Sequence, residues 1–385
     1  MGGHPNGLQI TDRLTIWSAY IRSSLQFLLE FMQNNQTRTL TTTVYRTVSA
    51  TFGKHSRLDL LHYELGIPTT EELRHLSILR LYATLQTAPP YSNAHTLHKN
   101  LQTTVNIAQG PTHNRSPDSQ MFETLAHYNL HQQHWPEIQV EPSTRKYTHP
   151  HQIAQNTRTQ WKRLTYEAVG SHRISEIHGK LAANKESTRE WYDMAGHATV
   201  RKNQFQPMPI YKMLARNPHI HQDTAQFFLQ IRTQGAHEYC PAYTKRKANN
   251  TPNTKHQHNP QCKYCETNHP QQHPIPRATA THIVSECRAT ASTKQQLTQK
   301  IDDWMSKGNY LYNKITRSTI TAWNQIPAEH QTQLLLGTSL PPHIHPAKVP
   351  KVKTTSHAWM TAFMGLTATD THTLFKNYNN ITALI

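Results

Sequence analysis

Apolar residues recur at helical spacing in separate blocks along this chain, and polar stretches carrying Pro or Gly divide the blocks. In "TDRLTIWSAYIRSSLQFLLEFM" (11–32) they fall at 14, 16, 17, 20, 21, 25, 28 and 29, a helical stripe with Thr11 or Asp12 as its cap. A second block, 40–66, places Leu58, Leu61 and Leu65 on one face and stops at Gly66 and Pro68. "TTEELRHLSILRLYATLQ" then opens on a capping-box pattern, Thr69 or Thr70 followed closely by an acid, and carries a broad apolar face.

Residues 87–160 read as loops around one helix near "QMFETLAHYNLHQQHW". A further helix is expected over about 158–195, a break at Pro207 and Pro209, and an apolar helix from 224 that stops at Gly235. The segment 241–260 is basic and of low complexity, an unstructured insertion. Helices are expected again at about 289–305, 309–324 and 355–377, with a Pro- and Lys-rich linker before the last. No strand alternation and no internal repeat is visible. The pattern predicts a mainly α fold, helical modules joined by long polar loops. Four regions follow: 1–90, 91–223, 224–300 and 301–385.

Composition changes the picture in one respect. Of 385 residues, 36% are hydrophobic and 16% charged, yet the net charge is +17 with the 28 histidines counted neutral. An excess of that size favours a polyanionic partner, because Lys and Arg displace the counterions condensed on a phosphate backbone. "MGGHPNGLQI" holds no apolar signal core, Asn6 stands where a myristoylation motif needs Ser or Thr, and "LQFLLEFM" (25–32) is too short to cross a bilayer. The expectation is an intracellular protein with no membrane partner, nuclear if it binds nucleic acid.

Three of the four cysteines fall in "CKYCETNHPQQHPIPRATATHIVSEC" (262–287). Cys262 and Cys265 form Cys-x2-Cys; sixteen residues later His282 and Cys287 form His-x4-Cys. Two thiolates on one tight turn and a second pair from a following segment complete a tetrahedron around Zn²⁺. Such a set leaves no open position, so the expectation is a small Cys3His zinc-binding module with a structural metal. His269 and His273 are alternatives to His282, and free thiols or a disulfide are alternatives to metal. A reducing compartment favours metal. Cys240 is left over as a buried or unliganded thiol.

The run "FFLQIRTQGAHEYC", "CKYC", "THIVSECRATASTKQQL" resembles the C-terminal zinc-binding module of non-LTR retrotransposon reverse transcriptases. The family's Arg-Thr-Gly-like step corresponds to Arg232-Thr233-Gln234-Gly235, with Gln234 inserted, and the gap before His282 is longer than usual. "RLTIWSAYIRSSLQFLLEFM" is similar to the thumb segment that follows the palm in these enzymes, with Ser23 in place of a proline. "RLDLLHYELGIPTTEELRHLSILRLYATLQ" looks like the helix pair after it, with a Leu-Gly-x-Pro turn at Leu65–Pro68. The resemblance covers 11–90 and 224–300.

It implies thumb-like helices in 1–90, a connector in 91–223 and a zinc module in 224–300, without the palm whose carboxylates hold two Mg²⁺ ions. The sole Asp-Asp pair, Asp302-Asp303, lies in a helical stretch as a solvated face. The chain is thus expected to be no enzyme. It is expected to be a nucleic-acid-binding portion that grips RNA or DNA phosphates, in partnership with the catalytic part of a retroelement polyprotein. Arg232, Lys245, Arg246, Lys247, Lys263, Arg277 and Arg288 are the candidate contacts. Arg158, Lys162, Arg163, Lys180 and Arg201-Lys202, interleaved with Trp161, Tyr166, Trp191 and Tyr192, are a further basic–aromatic stretch in which the tryptophans read better as core. The alternative function is a zinc-stabilised protein–protein interaction module.

Overall fold

In a computed structural model the described residues are 8–29, 34–53, 56–89, 91–97, 99–100, 117–130, 150–182, 205–235, 240–243, 261–271, 274–306, 323–337 and 352–385. Among them the fold is helical, and the lone β feature is an antiparallel bridge between Gln261 and Arg277. The elements are α1 (Ile10–Ile16), a π turn (Trp17–Arg22), α2 (Ser23–Leu29), α3 (Asn34–Phe52), α4 (Leu58–Leu65) and α5 (Thr70–Gln86). Then come α6 (Pro117–His127), α7 (Pro150–Ala182), α8 (Pro209–Arg216), α9 (Gln222–Arg232), α10 (Lys263–Asn268), α11 (Ala291–Ser306), α12 (Ala328–Leu335) and α13 (Val352–Ala383). The expected helix at 309–324 lies almost wholly outside the described residues, as does the insertion after Tyr243. The helices α8, α10 and α12, of eight, six and eight residues, are additions to the helices expected from sequence, each only about two turns long.

Local signals explain the boundaries. Gly66 ends α4 in the left-handed region, φ 65°, and a Cβ there would meet backbone atoms of Gln206 at 2.4 to 2.6 Å. Thr69 starts α5 by a capping box: Glu72 N–H donates to Thr69 Oγ1 at 3.2 Å, and Thr69 N–H donates to Glu72 Oε2 at 2.6 Å. Pro209 occupies the first turn of α8, where its missing N–H costs nothing.

Two cores share α5. Leu73 packs into the larger one, which runs from Ile10 through the cysteines to Tyr378; Leu76, Leu79, Ala83 and Leu85 pack into a smaller one with Met121, Leu125 and Trp161. A helix buried on most sides shows no single stripe, hence its broad apolar face. Trp161 is 2% exposed and its indole N–H donates to the Leu79 carbonyl at 2.8 Å, so this tryptophan is core, as expected. Arg173 of α7 binds the capping carboxylate of Glu72 through Nε at 2.7 Å, tying α7 to the start of α5.

The larger core draws on α1 to α5, α8, α9, α11 and α13, so the metal-ligand segment shares one interior with both ends of the described chain. The long α13 buries Met360, Phe363, Met364, Thr367, Ala368, Thr371, Leu374, Phe375 and Tyr378, a three-to-four-residue stripe with threonines among the hydrophobics. The Thr367 hydroxyl donates to the Phe363 carbonyl four residues back, which satisfies it without a partner from outside the helix.

Candidate metal centre

Cys262 precedes α10 and Cys265 lies in its first turn, so the helix start folds both thiols to one side. The Glu266 N–H donates to the Cys262 carbonyl at 2.9 Å and the His269 N–H to the Cys265 carbonyl at 2.9 Å. The Gln261–Arg277 bridge closes the loop from behind, with Cys262 N–H donating to the Pro276 carbonyl at 2.8 Å. The second pair comes from a π turn, His282–Glu286, whose end at Cys287 N–H donates to the His282 carbonyl at 2.8 Å. This wider turn brings His282 and Cys287, five residues apart, to the same end of the segment, while Ile283 and Val284 enter the core.

Cys262, Cys265, His282 and Cys287 are all buried, and their candidate ligand atoms lie within 4.8 Å of one another. Cys262 Sγ is 3.7 Å from Cys287 Sγ, and Cys265 Sγ is 3.5 Å from His282 Nε2. A tetrahedron with Zn–S near 2.3 Å and Zn–N near 2.0–2.1 Å has edges of about 3.8 Å between sulfurs and about 3.6 Å between sulfur and nitrogen. The donor set has the chemistry of a closed four-coordinate site, and the two separations of 3.7 and 3.5 Å match its edges. A disulfide would need sulfurs about 2.05 Å apart, and all four cysteines are free thiols. His269 is not a member of the group, and His273 lies outside the described residues.

Charge supports the same reading. The hydrogen bond from Cys287 holds the Cys262 thiol down to about 3, with His282 and Tyr378 adding to it. Burial pushes Cys265 up to about 11, and the hydrogen bond to Cys262 drives Cys287 far up. The shifts run in opposite directions because neighbouring thiols disfavour ionising together, and a divalent cation is what would let all three ionise. Burial disfavours the charged imidazole of His282, yet its bonds to Cys262 and Glu286 outweigh that and raise its pKa.

Outer contacts fix the donors. His282 turns Nε2 to the thiols and Nδ1 to Glu286 Oε2 at 3.1 Å, the arrangement that sets ring orientation at metal-bound histidines. Tyr378 of α13 donates its hydroxyl hydrogen to Cys262 Sγ at 3.4 Å. The Thr290 hydroxyl bonds the Ile283 and Cys287 carbonyls at 2.9 and 3.0 Å, and Lys294 donates to the Ser285 carbonyl at 3.1 Å. Glu286, Thr290 and Tyr378 carried no signal in the sequence beyond proximity, and Tyr378 not even that. Cys240 is buried in the same core but is not a member of the cluster.

The expected nucleic-acid contacts divide. Lys263 and Arg288 are exposed on α10 and on the turn after Cys287, two elements packed together beside the metal centre; Arg277 is half-buried. Lys245, Arg246 and Lys247 lie outside the described residues. Arg232 is a correction. It is 0% exposed and donates to Glu64 through Nε at 2.9 Å and Nη2 at 3.0 Å, and to the Leu336 carbonyl through Nη1 at 2.9 Å. Its donors are spent inside the core, so it holds helices together rather than meeting phosphate. The rest of that step is structural too: Gln234 has φ 54°, its amide oxygen accepts from Arg57 at 2.9 Å, and Thr233 bonds Ser56 at 2.7 Å. Asp302 accepts from the Trp323 N–H at 2.5 Å, and Asp303 from Gln299 at 2.9 Å; the pair anchors a neighbouring turn on one side and faces solvent on the other.

Comparison of the chain with protein-family models, with curated proteins and with solved structures returns no match. No helix among the described residues is long and apolar enough to cross a membrane.

Proposed function

We propose that this protein is a zinc-stabilised, non-catalytic nucleic-acid-binding protein of the type found C-terminal to the palm in non-LTR retrotransposon reverse transcriptases. The observation that carries the reading is the buried Cys3His group with edges of 3.7 and 3.5 Å. A zinc ion held by all four residues would be a folding element and would leave no position for a substrate. The net charge of +17 and the exposed Lys263 and Arg288 beside the centre supply the attraction to phosphate.

Affinity for single-stranded RNA and DNA as a function of salt tests the reading. Several released counterions predict a fall of orders of magnitude between about 50 and 200 mM salt. Weak binding that ignores salt, with zinc present, would favour a zinc-stabilised protein–protein module instead.

A further inference from the structure

On the side of the molecule built by the smaller core, a groove of about 640 Å³ runs between the π turn with α2 and the middle of α7. Arg22 lines it from the first wall, and Lys162, Arg163, Tyr166 and Glu167 from the second, with the buried Phe205 also in its lining. The wider turn at Trp17–Arg22 separates two tasks on one helical stretch: Trp17 is buried in the core while Arg22 reaches the groove.

The cations are held in place by rings. Arg22 donates to the Tyr166 hydroxyl at 2.5 Å and its guanidinium lies 5.9 Å from the ring centroid; Lys162 Nζ lies at 5.9 Å from the same ring. Tyr166 is wedged edge-on against Phe205 at 5.1 Å, and Phe205 is covered by Arg173 at 4.8 Å. Arg163 has an acid partner, Glu167 at 3.8 Å, but the side chains are 73% and 54% exposed, so that pair holds little. Neither Arg22 nor Lys162 has a carboxylate within ion-pair distance among the described residues. Two cations oriented by a neutral phenol at a groove, with three positive lining residues against one negative, are arranged for an external anion.

We propose that this groove binds the backbone of a single-stranded nucleic acid, with a phosphate between Arg22 and Lys162. A guanidinium matches two phosphate oxygens, an ammonium adds a point charge, and a groove of this size takes a nucleotide unit of an unpaired strand. The inference rests on the nucleic-acid reading above and adds a contact surface separate from the metal centre.

The test uses the full chain, an Arg22→Gln/Lys162→Gln variant and a Lys263→Gln/Arg288→Gln variant, each titrated with a short labelled oligouridine across salt concentrations. Zinc content and helicity are measured in parallel; the four substituted side chains lie at the surface or its edge. The groove variant is expected to bind at least about tenfold more weakly at low salt. Its log–log salt slope should be shallower by about 0.7, the share of the one phosphate the two cations hold, with zinc content unchanged. Parental affinity and slope in the groove variant, alongside weakening in the other, would overturn the groove and leave the nucleic-acid reading standing. Failure of the parent to bind oligouridine would remove both. Tripolyphosphate bound in the groove with no oligouridine binding would overturn the strand in favour of a small polyphosphate.

Discussion

The hydroxyl of Tyr378 donates to Sγ of Cys262 across 3.4 Å, although 116 residues separate them. Both side chains are buried, and the helix that carries Tyr378 also packs on α8, α9 and α11. The metal-ligand loop is thus not an appended knuckle. Its thiolate is bonded by the C-terminal helix, and the two fold as one interior.

Removing either outer contact should loosen the metal without removing a ligand. Tyr378→Phe deletes the donor to Cys262, and Glu286→Ala frees Nδ1 of His282. Each is expected to weaken zinc about 10- to 100-fold in chelator competition at constant stoichiometry. Affinity unchanged in both variants would contradict the assigned geometry.

The Glu64–Arg232 pair predicts a sharp asymmetry between single and double substitution. Both partners are 0% exposed, and Tyr211 adds a hydroxyl to Glu64 Oε2 at 3.1 Å. Arg232→Met leaves a carboxylate in the core and should cost about 3–5 kcal/mol in urea unfolding. Glu64→Leu/Arg232→Met removes both charges and should recover most of that loss. A single variant that unfolds like the parent would place Arg232 at the surface after all.

Much of this was legible in sequence. The caps of α5, the stop at Gly66 and the four metal ligands each rest on local chemistry that a few adjacent residues define. What was not legible depends on partners distant in the chain. Arg232 read as a cation awaiting phosphate because its counter-charge, Glu64, sits 168 positions away and has no local mark. Tyr378 lies just past the helix expected at 355–377 and carried no mark of a metal-site contact. Histidine's abundance left the choice among His269, His273 and His282 open; the π turn places His282 beside Cys287, and His269 stands outside the group.

Acid should destabilise the protein through His372. Burial, with Lys376 adding to it, lowers this imidazole from 6.5 to about 4, where it stacks on Phe227 at 4.5 Å. Above pH 6.5 it is neutral in both states and contributes nothing to the pH dependence. Between 6.5 and about 4 the unfolded chain takes up a proton that the folded chain refuses, so stability falls as pH falls, by up to about 1.4 kcal/mol per pH unit. His372→Gln should flatten the slope by that amount, and because both proteins keep the metal ligands, metal release cancels in the comparison. Equal slopes would contradict the buried neutral assignment.

Whether the four residues hold a structural zinc is read out by elemental analysis of zinc per chain, for the parent and for Cys262→Ser/Cys265→Ser. The parent is expected to carry one zinc per chain, and the variant to lose both the zinc and a large part of the thermal stability. A parent purified under reducing conditions with no zinc, and as stable as its variant, would contradict a structural zinc site.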